Sequence, residues 1–93
     1  MVSLDWEDLL VEALGNRTNV RIMRYLLRRG GANISRIARE LGISYTSAKR
    51  SLKVLIEIGI LEEIAIGRAR VYRLSDSENV RRLIACITGS AHV

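Results

Sequence analysis

The chain has 93 residues, of which 48% are apolar and 27% charged, and a net charge of +5. That length supports one hydrophobic core spanning residues 1–93 as a single domain, and the composition is that of a folded soluble protein, not of a disordered tail. No apolar run approaches the ~20 residues of a membrane span, so an integral membrane protein is excluded from the expectation.

The first residues, MVSLDWEDLLVEALG, are acidic where a secretory signal must be basic. The single cysteine, Cys86, cannot form an internal disulfide and reads as a buried small residue within an apolar helical pattern. A reducing, cytoplasmic location is expected. A chain of this size buries only roughly 60 to 65% of its unfolded surface, so a second copy is an expected source of stability. Charge is distributed unevenly: residues 1–16 carry Asp5, Glu7, Asp8 and Glu12 with no basic side chain, whereas residues 17–58 carry ten basic and two acidic ones. Such asymmetry points a polyanion toward the middle of the chain.

In chain order, Ser3 caps an expected first helix with Trp6, Leu9, Leu10, Ala13 and Leu14 at helical spacing, stopped by Gly15 in a left-handed conformation. Asn16 opens a second helix with Val20, Met23, Leu26 and Leu27 on one face, ending at Gly30-Gly31. Its other face carries Arg17, Arg21, Arg24 and Arg28, a stripe read first as a solvated surface. Asn33 or Ser35 begins a short third helix containing Ile37, Ala38 and Leu41, closed by Gly42. Ser44 then caps a fourth helix, Tyr45 to Ile58, closed by Gly59.

Beyond Gly59 the runs ILEEIAI and ARVYRLS are rich in β-branched residues and flank Gly67-Arg68, a pair suited to a two-residue turn. A hairpin centred there sets Leu61 opposite Leu74, Glu63 opposite Tyr72 and Ala65 opposite Arg70 on the side facing the core. Glu62 and Arg73, with Ile64 and Val71, fall on the other side. Ser75 to Glu78 reads as a capping box before a last helix with Val80, Leu83, Ile84 and Ile87, stopped by Gly89. The expected fold is mostly α, about five helices with one small β-hairpin.

The fourth helix holds Lys49 and Lys53, the only lysines of the chain. At 100° per residue, Ala48, Leu52 and Leu55 share one face, while Thr46, Lys49, Arg50, Lys53 and Glu57 project from the other. Ala48 is small where two helices must approach, Gly42 permits the turn, and Ile43 plugs the space between them. This is the logic of a helix-turn-helix. A second helix of that kind fits a DNA major groove about 12 Å wide, which nominates Tyr45, Thr46, Ser47, Lys49, Arg50 and Lys53 as DNA-binding residues. Arg50 suits a bidentate contact to guanine; the lysines suit phosphate or guanine; Thr46 and Ser47 serve equally well as plain first-turn residues.

From Ala13 to Leu74 the chain resembles winged helix-turn-helix transcription regulators of the ArsR or MarR type. The resemblance lies in ALGNRTNVRIMRYLLRRG, in the two-helix reader ISRIARELGISYTSAKRSLKVLIEIGIL, and in the returning strand VYRLS. It implies a hairpin whose tip lies along the DNA backbone or enters the minor groove, which adds Arg68 and Arg70 to the candidate residues. It also implies a homodimer formed through the first and last helices. The cysteine-bearing motif of the metal-sensing relatives is missing, because GANISRIARELG has neither cysteine nor histidine, and Cys86 with His92 cannot supply four ligands.

No cofactor, metal or small-molecule ligand is expected. Catalysis is not expected either: there is no phosphate-cradling glycine loop, and the one histidine, His92, sits near the end. The expected function is sequence-specific binding of double-stranded DNA by a homodimer that regulates transcription, most simply as a repressor. The alternatives are a winged-helix protein-interaction module and a non-specific nucleic-acid-binding protein.

Overall fold

A computed structural model describes residues 14–88 together with Val11, with side chains described through Ala85. Among the described residues the order is α1 (Arg17–Arg29), α2 (Ile34–Leu41), α3 (Tyr45–Glu57), β1 (Leu61–Ile66), β2 (Ala69–Leu74) and α4 (Glu78–Thr88). The expected mixture of helices and one hairpin is present, with four helices described instead of about five. The expected first helix falls mostly outside the described residues, as do Gly89 and the side chains of Cys86 and Ile87.

Val11 and Leu14 are helical, and the Gly15 amide donates to Val11 O at 2.9 Å. Gly15 does not stop this turn by a left-handed conformation, contrary to the sequence expectation, since among the described residues positive φ occurs only at Gly30, Gly42, Gly59 and Gly67. Its small size matters for another reason: a Cβ there would lie 2.5 Å from Val11 O. Asn16 then caps α1, its Oδ1 accepting from the Asn19 amide at 3.1 Å.

The buried side of α1 is Asn19, Ile22, Met23, Tyr25 and Leu26. The sequence placed Val20 and Leu27 on this side, but Leu27 is 38% exposed and Val20 only half-buried. Helical geometry explains the rotation. Arg17, Arg21, Arg24 and Arg28 fall within one narrow arc; Ile22 and Leu26 lie opposite it, whereas Val20 and Leu27 border it.

Asn33, and not Ser35, caps α2, accepting from the Arg36 amide at 2.8 Å, and Gly42 ends the helix at φ 67°. The Arg21 guanidinium donates to Leu41 O and so satisfies a terminal carbonyl of α2 from a neighbouring helix. Ile43 donates its amide to Ala38 O at 3.0 Å and packs half-buried against the core. Ser44 then caps α3, whose buried stripe is Ala48, Ser51, Leu52 and Leu55. These helices enclose a core that includes Ile22, Met23, Leu26, Ile37, Leu52 and Leu55.

All six hairpin pairs have the register read from the sequence, from Leu61 opposite Leu74 to Ile66 opposite Ala69. Gly67 takes φ 61° while Arg68 stays at negative φ, so the turn needs its glycine first. The core-facing side is buried only at its base, where Leu61 is buried and Tyr72 and Leu74 are half-buried against the core. One connection was not anticipated. Ala32 donates to Tyr72 O at 3.1 Å and accepts from the Tyr72 amide at 2.9 Å, which ties the α1–α2 loop to β2. Gly31 permits this approach, because an added Cβ would lie 3.1 Å from Val71 Cγ1.

The last cap also differs from the reading. Ser77, not Ser75, accepts from the Val80 amide at 3.2 Å, while the Ser75 amide donates to Ile60 O at 2.9 Å and closes the hairpin base. The backbone at Ser75 thus still belongs to the hairpin base, and the helix begins only after Ser77. Val80 and Leu83 of α4 are fully buried in the chain's own core.

Ala48 is completely buried, so extra volume there should force the two helices apart. Ala48→Leu is expected to lower stability by about 1 to 3 kcal/mol in urea unfolding, whereas Thr46→Leu, on the exposed face of the same helix, should change it by about 0.5 kcal/mol or less.

Candidate nucleic-acid interface

The direction of each candidate side chain follows from the buried stripe of α3. With Ala48, Ser51, Leu52 and Leu55 turned inward, Thr46, Arg50, Lys53 and Glu57 lie along the outward ridge, and all four are exposed. Lys49 is exposed on the flank of this ridge nearer the hairpin. Tyr45, the first residue of α3, is 54% exposed. Lys49 and Lys53 are separated by about 6 Å along the helix axis.

Ser47 is placed differently from its neighbours. It is half-buried, its amide donates to Ser44 Oγ at 3.0 Å, and the Ser44 hydroxyl bonds its own hydroxyl at 3.0 Å. Its polar atoms are therefore engaged in the local cap. No acidic residue lies in the first turn of α3, so the positive end of the helix dipole is not offset by a side-chain carboxylate there. An anion approaching that end meets backbone donors and no local negative charge.

The hairpin stands beside this surface. Lys49 and Lys53 of α3 share a cleft of about 240 Å³ with Glu63 and Tyr72 of the hairpin, floored by Ile34, Leu52 and Ile56. Arg68 occupies the exposed tip, about 17 Å from the hairpin base by strand rise. Arg70 is exposed but paired: its guanidinium lies 3.2 Å from Glu63 Oε1. Among the described residues Lys49, Arg50, Lys53 and Arg68 make no ion pair, which separates them from Arg70. Arg50 points to the opposite flank of α3 from Lys49, bordering a second cavity lined by Val11, Asn16 and Ser51.

Glu63 has a role that sequence reading missed. It accepts from Arg70 on one oxygen and from the Tyr72 hydroxyl at 2.8 Å on the other. The register already put Glu63 opposite Tyr72 with Arg70 diagonal to them, so the signal was available in the cross-strand pattern. Burial first, and then the hydrogen bond to Glu63, push the Tyr72 phenol up to about 12. The Glu62 and Arg73 side chains form the expected pair on the other side of the sheet. Exposed pairs of this kind contribute about 0 to 1 kcal/mol and act mainly by orienting side chains.

Comparison with known proteins follows the same boundaries. A family model described as winged helix-turn-helix DNA-binding matches residues 16–62, just over half of the chain. The chain belongs to the winged helix-turn-helix DNA-binding family. The matched residues run from the cap of α1 to the second residue of β1, and so contain the complete two-helix unit.

No curated protein matches the chain. Among solved structures, a possible transcriptional regulatory protein from Mycobacterium bovis (fragment 1–100) is 30% identical, with a TM-score of 0.74, over 94% of this chain and 91% of that one. The solution structure of a homodimeric winged helix-turn-helix DNA-binding domain from the same organism, described as a possible ArsR-family transcriptional regulator, is 25% identical. Its TM-score is 0.76, with 98% of this chain and 90% of that one covered. The antimony-specific transcriptional repressor AntR is 27% identical with a TM-score of 0.70, covering 89% of this chain and 77% of that one.

The winged-helix hairpin offers a direct titration test. Ultraviolet titration should show one phenol ionising near pH 12, absent in Tyr72→Phe and shifted downward, though still above 10, in Glu63→Gln. Because the folded value is raised above the ordinary 10, the stabilisation linked to it is complete below pH 10 and is lost as the pH rises toward 12.

Proposed function

We propose that this winged-helix chain regulates transcription by binding double-stranded DNA as a homodimer, with α3 in the major groove and the hairpin tip on the backbone or in the minor groove. The supporting observation is the set of unpaired cations, Lys49, Arg50 and Lys53 on one helix and Arg68 on the adjoining hairpin. A protein-interaction module has no reason to leave four cations exposed and unneutralised on two adjoining elements, whereas a duplex offers phosphate to each of them. Repression is the simplest action for such a unit, since occupying a promoter needs no further contact; AntR is a repressor by its description.

In this reading Arg50 and Lys53 divide the work. Arg50, on the outward ridge near the middle of α3, reads a guanine; Lys53 and Lys49 hold phosphates on the side nearer the hairpin; Arg68 enters the minor groove. Arg70 supports the hairpin through Glu63 more than it contacts DNA, and Ser47 serves the cap. Thr46 and Tyr45 stand at the leading end of the helix, where short polar and aromatic groups reach the first base edges.

The Mycobacterium bovis domain is homodimeric, and the same assembly here would join the segment before Gly15 with α4. Two readers related by a two-fold axis require half-sites about 34 Å apart, in an inverted repeat. The third helix of metal sensors has its counterpart in α2, which holds neither cysteine nor histidine. No group of three His, Cys, Asp or Glu that could hold a metal ion occurs among the described residues. Among the described residues no helix is long and apolar enough to cross a membrane, and a cytoplasmic regulator is the corresponding proposal.

Two measurements test this reading. Arg50→Ala should cost about 1 to 3 kcal/mol on a site selected from random duplexes and relax preference at one base pair, while Lys53→Ala should weaken all sequences alike and reduce the salt slope by about one unit. In sedimentation the chain should run at twice its 10.5 kDa mass, and a monomer at concentrations that bind DNA would remove the two-fold model.

A further inference from the structure

β1 carries two glutamates and β2 two arginines, and each glutamate takes one arginine across the sheet. Glu62 holds Arg73 on the outer side, and Glu63 holds Arg70 on the side toward α3, so Arg68 is the one hairpin arginine without an ion pair among the described residues. The two pairs differ in their setting. Glu62 and Arg73 face away from the lysines of α3, whereas Glu63 lines the cleft that holds Lys49 and Lys53. Glu63 is also fixed from a second direction: the Tyr72 hydroxyl donates to Oε2 at 2.8 Å, while the Arg70 guanidinium lies 3.2 Å from Oε1. Its side chain is 33% exposed against 68% for Arg70, so the carboxylate is the anchored member and the arginine the one that reaches toward solvent.

A surface built only for affinity toward a polyanion would leave this carboxylate out. Each cation that neutralises a phosphate releases counterions and tightens binding to every sequence alike. Arg70 stands where it could do so, on the same side of the sheet as Glu63 and nearer the tip. The pair prevents it. In the free chain an exposed pair of this kind is weak. Drawing Arg70 off to a phosphate, however, would leave Glu63 as a bare negative charge beside the backbone. Like charges brought together at an interface oppose binding more strongly than one further phosphate contact favours it.

We propose that Glu63 limits how tightly the chain grips the DNA backbone, by holding Arg70 as a neutral pair in the seam between α3 and the hairpin. The inference rests on the reading of that seam as a DNA contact. Base preference is left to the outward ridge of α3, because the affinity withheld at Arg70 is affinity for phosphate and carries no sequence information. A smaller sequence-independent share shortens the stay of the chain on non-cognate duplex, which a genome presents in great excess.

The test is a two-residue cycle on the full chain, read as affinity for a selected duplex and for a random one across a range of salt. Glu63→Gln keeps an acceptor for the Tyr72 hydroxyl and removes the charge; it should tighten both duplexes about five- to tenfold at ~0.1 M salt and steepen the salt slope by about one unit. Arg70→Gln should weaken both by a similar factor, because it uncovers the Glu63 charge, and the double variant should cancel the two changes. Glu62→Gln makes the same charge change on the far side of the sheet and should tighten binding by no more than about twofold. Tightening by Glu62→Gln equal to that by Glu63→Gln would reduce the effect to net charge and overturn the proposal. A double variant as tight as Glu63→Gln would show that Arg70 is not the withheld cation, and one as weak as Arg70→Gln would make Arg70 a direct contact; either overturns it. A gain confined to the selected duplex would overturn the assignment to the backbone. Wild-type chain that binds duplex, with Glu63→Gln no tighter, would overturn this inference alone, whereas wild-type chain that binds no duplex would refute the DNA reading and the inference with it.

Discussion

The buried stripe of α3 is the constraint on which the whole arrangement depends. Ala48, Ser51, Leu52 and Leu55 recur at the spacing of one helix face, and each is nearly or fully withdrawn from solvent. A rotation of α3 by even one residue, about 100°, would lift Leu52 and Leu55 out of the core at a cost of about 1.5 to 3 kcal/mol for each large side chain exposed. The cations are thus aimed by residues on the opposite face of the same helix. Lys49, Arg50 and Lys53 point outward because their neighbours in sequence cannot.

The same reasoning explains what could be read in advance. Patterns carried by many residues survived: the hairpin register followed from one glycine tip and alternation on two strands, and all six pairs agree with it. The helix-turn-helix followed from Gly42, Ile43 and Ser44, each with a local physical job. Signals carried by one or two residues were less secure. Ser75 and Ser77 are equally good helix caps by type, and it is the bond from Val80 to Ser77 Oγ, with Ser75 still bonded to Ile60 O at the hairpin base, that decides between them. Gly15 reads as a left-handed stop, yet its smallness serves a close carbonyl contact.

The candidate site was legible in part for the same reason. Outward cations on an amphipathic helix are a periodic signal, so Lys49, Arg50 and Lys53 could be named with their direction. Their neutralisation is not periodic. That Arg70 is held by Glu63 while Arg68 is left open depends on side-chain rotamers at the hairpin, and that Ser47 is absorbed by Ser44 depends on a hydroxyl orientation. The cavity beside Arg50 lies between segments about thirty residues apart, and no local pattern announces it.

The pairing of Ala32 with Tyr72 has a mechanical implication. Two backbone hydrogen bonds join the stretch between α1 and α2 to β2 about five residues from the hairpin tip, and this anchorage divides the hairpin into a fixed stem and a free blade. Bending is then confined to the outer residues, where Ile66 and Arg68 are exposed. A small tilt at the anchorage would sweep the guanidinium through a much larger arc, so in the proposed complex the blade follows differences in groove width while the stem and α3 keep their relative positions.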